Sequence, residues 1–172
     1  MKIRTTIRSI FMLIISIVAG VLIILPFVSY PKAFSFTGEM EHIFFYDLLK
    51  FEEFNALAMA NESLGLLREI SSYLTIAVIA SAGLALISSL FKLVLYKSKF
   101  FGFLAGVSYL LLTISTLGLG ICAVVYSFIF KKELTIESLD ISVEVTSIGG
   151  WIYASLGLLS PITIGLTNLI KK

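Results

Sequence analysis

FFGFLAGVSYLLLTISTLGLGICAVVYSFIF, residues 100–130, is the stretch that decides the fold of this chain. It contains no Asp, Glu, Lys, Arg or His, and a lysine bounds it on each side, at Lys99 and Lys131. A helix needs about 20 consecutive apolar residues to cross about 30 Å of hydrocarbon. The stretch is longer than that and therefore predicts a transmembrane helix that tilts or extends beyond the bilayer.

Three further blocks share this freedom from charge: Ser9–Pro31, Ile70–Phe91 and Val145–Ile170. The chain of 172 residues is 58% hydrophobic and 14% charged, whereas soluble domains are about 45–50% apolar and about 25% charged. We therefore predict an all-α integral membrane protein. Residues 1–172 form a single domain, a bundle of four transmembrane helices, with spans at about 9–30, 70–91, 101–130 and 147–170.

The charged residues divide unevenly between the two ends of the predicted bundle. All 11 acidic residues lie in the two connections 31–69 and 131–146. Eight of the 13 basic residues lie instead in the segment before the first span, the second connection and the segment after the fourth span, with no acidic residue among them. Segments rich in Lys and Arg stay on the cytoplasmic side. We expect both termini in the cytoplasm, and 31–69 and 131–146 as outer loops of a protein in the cytoplasmic or plasma membrane.

The apolar blocks lack the groups that most chemistry at membrane depth requires. Proton relays, voltage sensors and many ion-coupled carriers use ionisable residues there. The single histidine, His42, lies in the first outer loop, so the chain cannot supply a bis-histidine haem site by itself. The single cysteine, Cys122, excludes disulfide exchange between cysteine pairs of one chain. We therefore predict no cofactor.

Small residues recur at helical spacing in the last three spans. They are Ala77, Ser81, Ala85 and Ser89 in the second; Gly102 and Gly106 in the third; and Gly150, Ala154, Gly157, Pro161 and Gly165 in the fourth. Such stripes let helix backbones approach closely, which is how transmembrane helices associate. We interpret them as packing within the bundle. An interface with another subunit and a substrate path are the alternatives. Pro161 is expected to kink the last helix.

The outer loops show short periodic patterns. Residues 34–37 alternate in hydrophobicity and predict a strand, and residues 42–60 have an apolar stripe at helical spacing that predicts an amphipathic helix. Residues 139–146 alternate as a half-buried strand does. The loops therefore predict a small outer cap made of one amphipathic helix and two short β-strands that pair with each other.

One group of residues in the first outer loop could carry chemistry: Glu39, Glu41, His42 and Asp47. Carboxylates bind calcium, and a histidine can help to hold zinc. Their spacing matches no metal-binding loop, so a solvated acidic face is the simpler interpretation, and we predict no metal site.

The layout is similar to that of claudin-like and other tetraspan proteins, which have four spans, inside termini and extended outer loops. The tryptophan-bearing GLW motif and the cysteine pair of claudins are absent from residues 31–69. The similarity covers topology alone, and topology does not carry function.

The leading expectation is a non-catalytic accessory, assembly or interaction subunit of a larger membrane complex. Its expected partners are the lipid bilayer and either other membrane subunits or further copies of itself; we expect no nucleic acid. A small oligomeric transporter or channel is the first alternative, with Thr113, Ser115 and Thr116 lining a neutral path. A membrane-surface enzyme that uses the acidic residues of the first outer loop is the second.

Overall fold

The computed structural model of the chain describes residues 2–31, 40–50, 62–134 and 144–167. The helices are α1 (Lys2–Val21), α2 (Glu62–Val94), α3 (Lys99–Leu134) and α4 (Ile148–Thr167), the strands are β1 (Pro26–Pro31) and β2 (Met40–Phe44), and two 3₁₀ turns cover Leu22–Ile24 and Phe45–Leu49. Four segments, namely Ile3–Ile24, Glu62–Val94, Lys99–Lys132 and Ile148–Thr167, are long and apolar enough to cross a membrane. The predicted helical architecture with four such helices is therefore confirmed.

The inner face of α2 is built mostly from small residues, and many large apolar residues of the bundle point outwards. Helix α3 packs between α2 and α4, and α1 packs against α2 and less extensively against α4. The buried residues on the inner face of α2 are mostly small: Ser71, Ser72, Thr75, Val78, Ser81, Ala82, Ala85, Ser88 and Ser89. By contrast, Phe103 on α3 is 72% exposed. This inversion of the soluble pattern is what a lipid environment favours.

Two helices are much longer than the other two. At 1.5 Å per residue, the 20 residues of α1 and of α4 span about 30 Å each, whereas the 33 of α2 and the 36 of α3 span about 50 Å and about 54 Å. A short turn, residues 95–98, joins α2 to α3. The extra turns therefore lie at the beginning of α2 and at the end of α3. They project together from the end of the bundle that is opposite the 95–98 turn, and we call this the cap end.

The turn between α2 and α3 is fixed by a lysine. Lys92 Nζ donates hydrogen bonds to the carbonyl oxygens of Tyr96, at 2.9 Å, and Ser98, at 2.6 Å. A cation at this position also complements the negative end of the α2 dipole.

Helix α1 ends at Val21, ten residues before the end of the first apolar block at Pro31. The 3₁₀ turn follows Val21, and Leu25 is extended, with φ −74° and ψ 154°. The residue before a proline is disfavoured in the α-helical conformation, so Pro26 forces the chain out of the helix at this point. The rest of the block becomes strand β1.

The strands β1 and β2 form an antiparallel pair in which Val28, Ser29 and Tyr30 lie opposite Ile43, His42 and Glu41 respectively, with an irregularity between Pro26 and Val28. Thr146 adds to the other edge of β1: its amide and carbonyl both hydrogen-bond those of Ser29, at 3.0 and 2.8 Å. A small sheet therefore exists at the cap end, with β1 between β2 and Thr146.

The composition of this sheet corrects the prediction for the first outer loop. The helix predicted to begin at His42 is wrong over its described part, because residues 40–44 are strand and residues 45–49 are a 3₁₀ turn. The physical reason is a period of two: Ile43 and Phe45 are both buried, and His42 is exposed. The rest of the predicted helix, 51–60, the strand predicted at 34–37 and residues 139–143 lie outside the described residues.

Candidate functional site

Helices α3 and α4 touch backbone to backbone along one seam. A Cβ atom added to Gly157 would lie 2.7 Å from the backbone nitrogen of Leu117, and one added to Gly150 would lie 2.7 Å from Cβ of Ala123. A Cβ on Gly120 would collide with the backbone nitrogen of Ala154. The predicted stripe residues Gly150, Ala154 and Gly157 therefore lie in a close packing contact inside the bundle.

The proline of α4 lies beside a hydrogen-bond network that joins α4 to α3. Pro161 has no N–H to donate to the carbonyl of Gly157, and the Ser160 hydroxyl donates to that carbonyl instead, at 3.3 Å. Ser160 Oγ also lies 2.9 Å from Thr113 Oγ1. The Tyr109 hydroxyl donates to the Ser160 carbonyl at 2.9 Å. The side-chain hydroxyls thus compensate for the proline within the bundle.

The other predicted stripe residues divide into two groups. Ser81, Ala85 and Ser89 are buried and Ala77 is half-buried, so the stripe of α2 faces the bundle. On α3, a Cβ on Gly102 would lie 3.2 Å from Lys92 Nζ, beside the short turn. Nothing lies within 4 Å of a Cβ built on Gly106 or Gly165, and Pro161 is exposed. Gly106, Gly165 and Pro161 therefore face outwards, whereas Gly102 lies against the Lys92 side chain.

The hydroxyl residues proposed for a neutral path are bonded within the protein. Ser115 donates to the Leu111 carbonyl at 2.8 Å, and Thr116 donates to the Leu112 carbonyl at the same distance. Thr113 bonds the Tyr109 carbonyl at 2.9 Å in addition to Ser160. Hydroxyls engaged in this way leave less capacity to replace the hydration shell of a passing solute.

Six aromatic rings close the cap end of the bundle, and we call them the aromatic seal. They touch in the order Tyr153, Phe45, Phe27, Tyr126, Phe130 and Tyr30, with ring centroids 4.8, 5.4, 5.1, 5.8 and 5.2 Å apart. The first five are at most 3% exposed. Rings at these separations and tilts attract one another beyond the burial of their area.

Polar contacts hold the seal to the shorter helices. The Ser147 hydroxyl, just before α4, donates to the Phe27 carbonyl at 2.6 Å. The Tyr153 hydroxyl donates to the Ala19 carbonyl at 2.9 Å. Gly149 lies so close to the Pro26 carbonyl that a Cβ there would collide with it. The beginning of α4 and the end of α1 are therefore locked together through the cap.

The sheet separates the predicted cluster of acidic residues and histidine. Glu41 and His42 are neighbours on β2 and point to opposite faces. Glu41 accepts a hydrogen bond from Tyr30, whereas His42 Nδ1 lies 2.9 Å from Ser29 Oγ. Burial, followed by the charge and hydrogen bond of Glu41, raises the pKa of Tyr30 to about 12.

Asp47 has a structural task in the same region. One carboxylate oxygen accepts the Phe44 amide at 3.1 Å, and the other lies 3.3 Å from Lys50 Nζ. Glu39 lies outside the described residues. Within the described ranges, no three His, Cys, Asp or Glu side chains come together as metal ligands would.

The outer face of the sheet carries an exposed feature that sequence patterns did not reveal. His42, Phe44 and Tyr46 form a continuous aromatic row: the first two ring centroids are 6.1 Å apart, and Phe44 stacks on Tyr46 at 5.2 Å with an interplanar angle of 9°. Tyr46 is 41% exposed. The aromatic residues at 42, 44 and 46 are spaced two apart, which is the signal of a strand. The apolar period of 3.6 over 42–60 favoured a helix instead and hid that signal.

Comparison of the chain with protein-family models, with curated proteins and with solved structures found no match.

Proposed function

We propose that this protein is a non-catalytic accessory or assembly subunit of a larger membrane complex, and that it presents its cap to a partner. The observation that carries the proposal is the chemistry of the interior. In the described ranges every fully buried polar residue, the tyrosines aside, is a serine or a threonine, and no carboxylate, ammonium or imidazole is buried there; Arg68, half-buried near the beginning of α2, has its Nε shielded from solvent. Catalysis and coupled transport both depend on groups of these kinds at converging positions.

The aromatic seal supports the same proposal. Rings from β1, the 3₁₀ turn Phe45–Leu49, α3 and α4 fill the cap end, where a path along the axis of one bundle would open. A bundle filled in this way favours a scaffold, whose function is carried by its outer surfaces. Those surfaces are the lipid-facing helices and the cap.

The experiment that tests this function is to purify the full chain from its native membrane in a mild detergent. We expect a defined assembly that contains either other membrane proteins in fixed proportion or several copies of this chain, measured by native mass spectrometry. A monomer without companions in every mild detergent would overturn the proposal. A solute flux into protein-bearing liposomes that exceeds the flux into empty ones would favour the transporter instead.

A further inference from the structure

The aromatic row contributes little to the core of the cap. On β2 and the turn that follows, Ile43, Phe45 and Leu48 are at most 4% exposed and pack towards the helices. The rings of the row alternate with the buried residues Ile43 and Phe45 and face away from the bundle. His42 and Tyr46 are exposed, and Phe44 is half-buried. Met40, 41% exposed, stands at the next alternate position of the strand. An aromatic surface left open in this way is typical of the centre of a protein–protein interface.

Two features of the row favour a cationic occupant. The Asp47 carboxylate lies in the same 3₁₀ turn as Tyr46, the last ring of the row. The faces of aromatic rings are themselves electronegative and attract cations within about 6 Å of the ring centroid. The row therefore presents electronegative ring faces beside the Asp47 carboxylate.

One cation already occupies this surface, and it comes from the chain itself. Lys50 Nζ lies 5.9 Å from the centroid of the Tyr46 ring and 3.3 Å from an oxygen of Asp47. Its side chain is 56% exposed, so an incoming group can displace it. A guanidinium suits this position better than an ammonium does, because it stacks on a ring face and binds a carboxylate through two parallel hydrogen bonds.

We propose that the aromatic row, together with Asp47, docks an arginine-bearing segment of a partner protein, with Lys50 as the resident cation that the arginine displaces. This inference rests on the proposed function, because it names the chemistry of the partner that the accessory subunit recognises. The guanidinium stacks on Tyr46 and pairs with Asp47. Neighbouring apolar atoms of the partner cover Phe44 and Met40.

The test uses the full chain in nanodiscs of zwitterionic phosphatidylcholine and a fluorescein-labelled peptide of alternating arginine and glycine, followed by fluorescence anisotropy. We expect saturable binding that is tighter than that of the lysine–glycine analogue. Tyr46→Ala is expected to weaken binding by about two- to fivefold, the size of an exposed cation–π contact. Lys50→Gln is expected to tighten it, a gain that a folding defect does not imitate.

The matched control is Tyr73→Ala, which removes another exposed tyrosine, 59% exposed and placed on α2 outside the aromatic row. It is expected to leave the affinity unchanged. Binding no greater than to empty nanodiscs, or equal binding by the Tyr46→Ala and Lys50→Gln variants and the native chain, would overturn the docking proposal. If the native assembly persists in that case, the proposed function survives and only the docking surface is wrong.

A single-tryptophan variant separates this proposal from burial of the row in lipid headgroups. Trp151 is the only tryptophan of the chain, so Trp151→Phe combined with Tyr46→Trp places one reporter in the row. We expect its fluorescence to resist quenching by brominated phosphatidylcholine and to yield to a water-soluble quencher. Strong quenching by the brominated lipid would assign the row to the membrane interface and refute the docking site.

Discussion

The hydroxyl of Tyr153 on α4 donates a hydrogen bond of 2.9 Å to the carbonyl oxygen of Ala19, in the last turn of α1. That carbonyl is one of the four at a helix end that lack a partner in their own helix. The Tyr153 side chain on α4 therefore supplies a hydrogen-bond donor to the carboxyl end of α1.

Tyr153→Phe is expected to lower the free energy of unfolding by about 1 kcal/mol, because it leaves the Ala19 carbonyl without its donor. Unfolding in mixed detergent micelles, followed by circular dichroism, measures this change. Tyr73→Phe removes a hydroxyl from an exposed position, where the contact with Glu69 is 3.5 Å long, and is expected to have no effect. Equal losses in the two variants would refute the role given to Tyr153.

Two glycines of α4 provide a matched pair for the close seam with α3. Gly157→Ala is expected to destabilise the protein by about 1–3 kcal/mol, because its new Cβ would lie 2.7 Å from the Leu117 backbone. Gly165→Ala places the same methyl group in open space and is expected to change stability by less than about 0.5 kcal/mol. Thermal unfolding of both variants in the same detergent measures this difference. Similar melting temperatures for the two variants would contradict the close contact between α3 and α4 at Gly157.

Tyr30 is expected to make the cap sensitive to alkaline pH. Its pKa is about 12 in the fold, against an ordinary value of 10.0, so the unfolded chain loses this proton first as the pH rises. The stability contributed by Tyr30 is therefore fully present below pH 10 and is lost between pH 10 and about 12. Ultraviolet absorbance titration of the native chain and of Tyr30→Phe isolates this group.

Glu41→Gln is the companion variant for that titration. It removes the negative charge that opposes ionisation of the Tyr30 hydroxyl, so the pKa should move down towards 10. Burial, the largest cause of the shift, remains. An unchanged titration curve would show that Glu41 does not act on Tyr30.

Lys92 is expected to hold the turn between α2 and α3. Lys92→Met removes the donor to the Tyr96 and Ser98 carbonyls, and hydrogen exchange of the amides at 95–98 should accelerate. Lys99→Met makes the same change of charge at an exposed position and is expected to leave exchange unchanged. Faster exchange in both variants would show that charge alone is responsible.

The helices could be predicted from sequence, because long blocks without charge leave few other structures. The extension of α2 and α3 beyond the charge-free blocks could not be predicted from sequence, because it depends on the cap that packs along the extra turns. Sequence also placed Gly150 and Gly157 on one stripe of α4. It could not show that Gly165, on the same stripe, faces outwards, because the contact with α3 depends on where the two helices cross.

The cap was the weakest part of the prediction, because its strands pair over long sequence distances. Thr146 bonds Ser29, and nothing in either local pattern specifies that choice of partner. Pro26 was a usable signal, since proline disfavours helix in the residue before it. Within the candidate cluster, the separation of Glu41 from His42 follows once β2 is known to be a strand, but the helical period concealed that strand.

The sheet contacts have a consequence for the order of events during synthesis. Ser29 in β1 cannot form its hydrogen bonds with Thr146 until that residue has been synthesised. The ring of Phe45, which contacts Phe27, likewise cannot contact Tyr153 before α4 is present. Thr146 follows Ser29, and Tyr153 follows Phe45, by more than a hundred residues in the sequence. These contacts can therefore form only after that length of chain has left the ribosome. A nascent chain that stops before α4 therefore lacks the partners of these rings at the cap end, and the cap can be completed only once α4 is present.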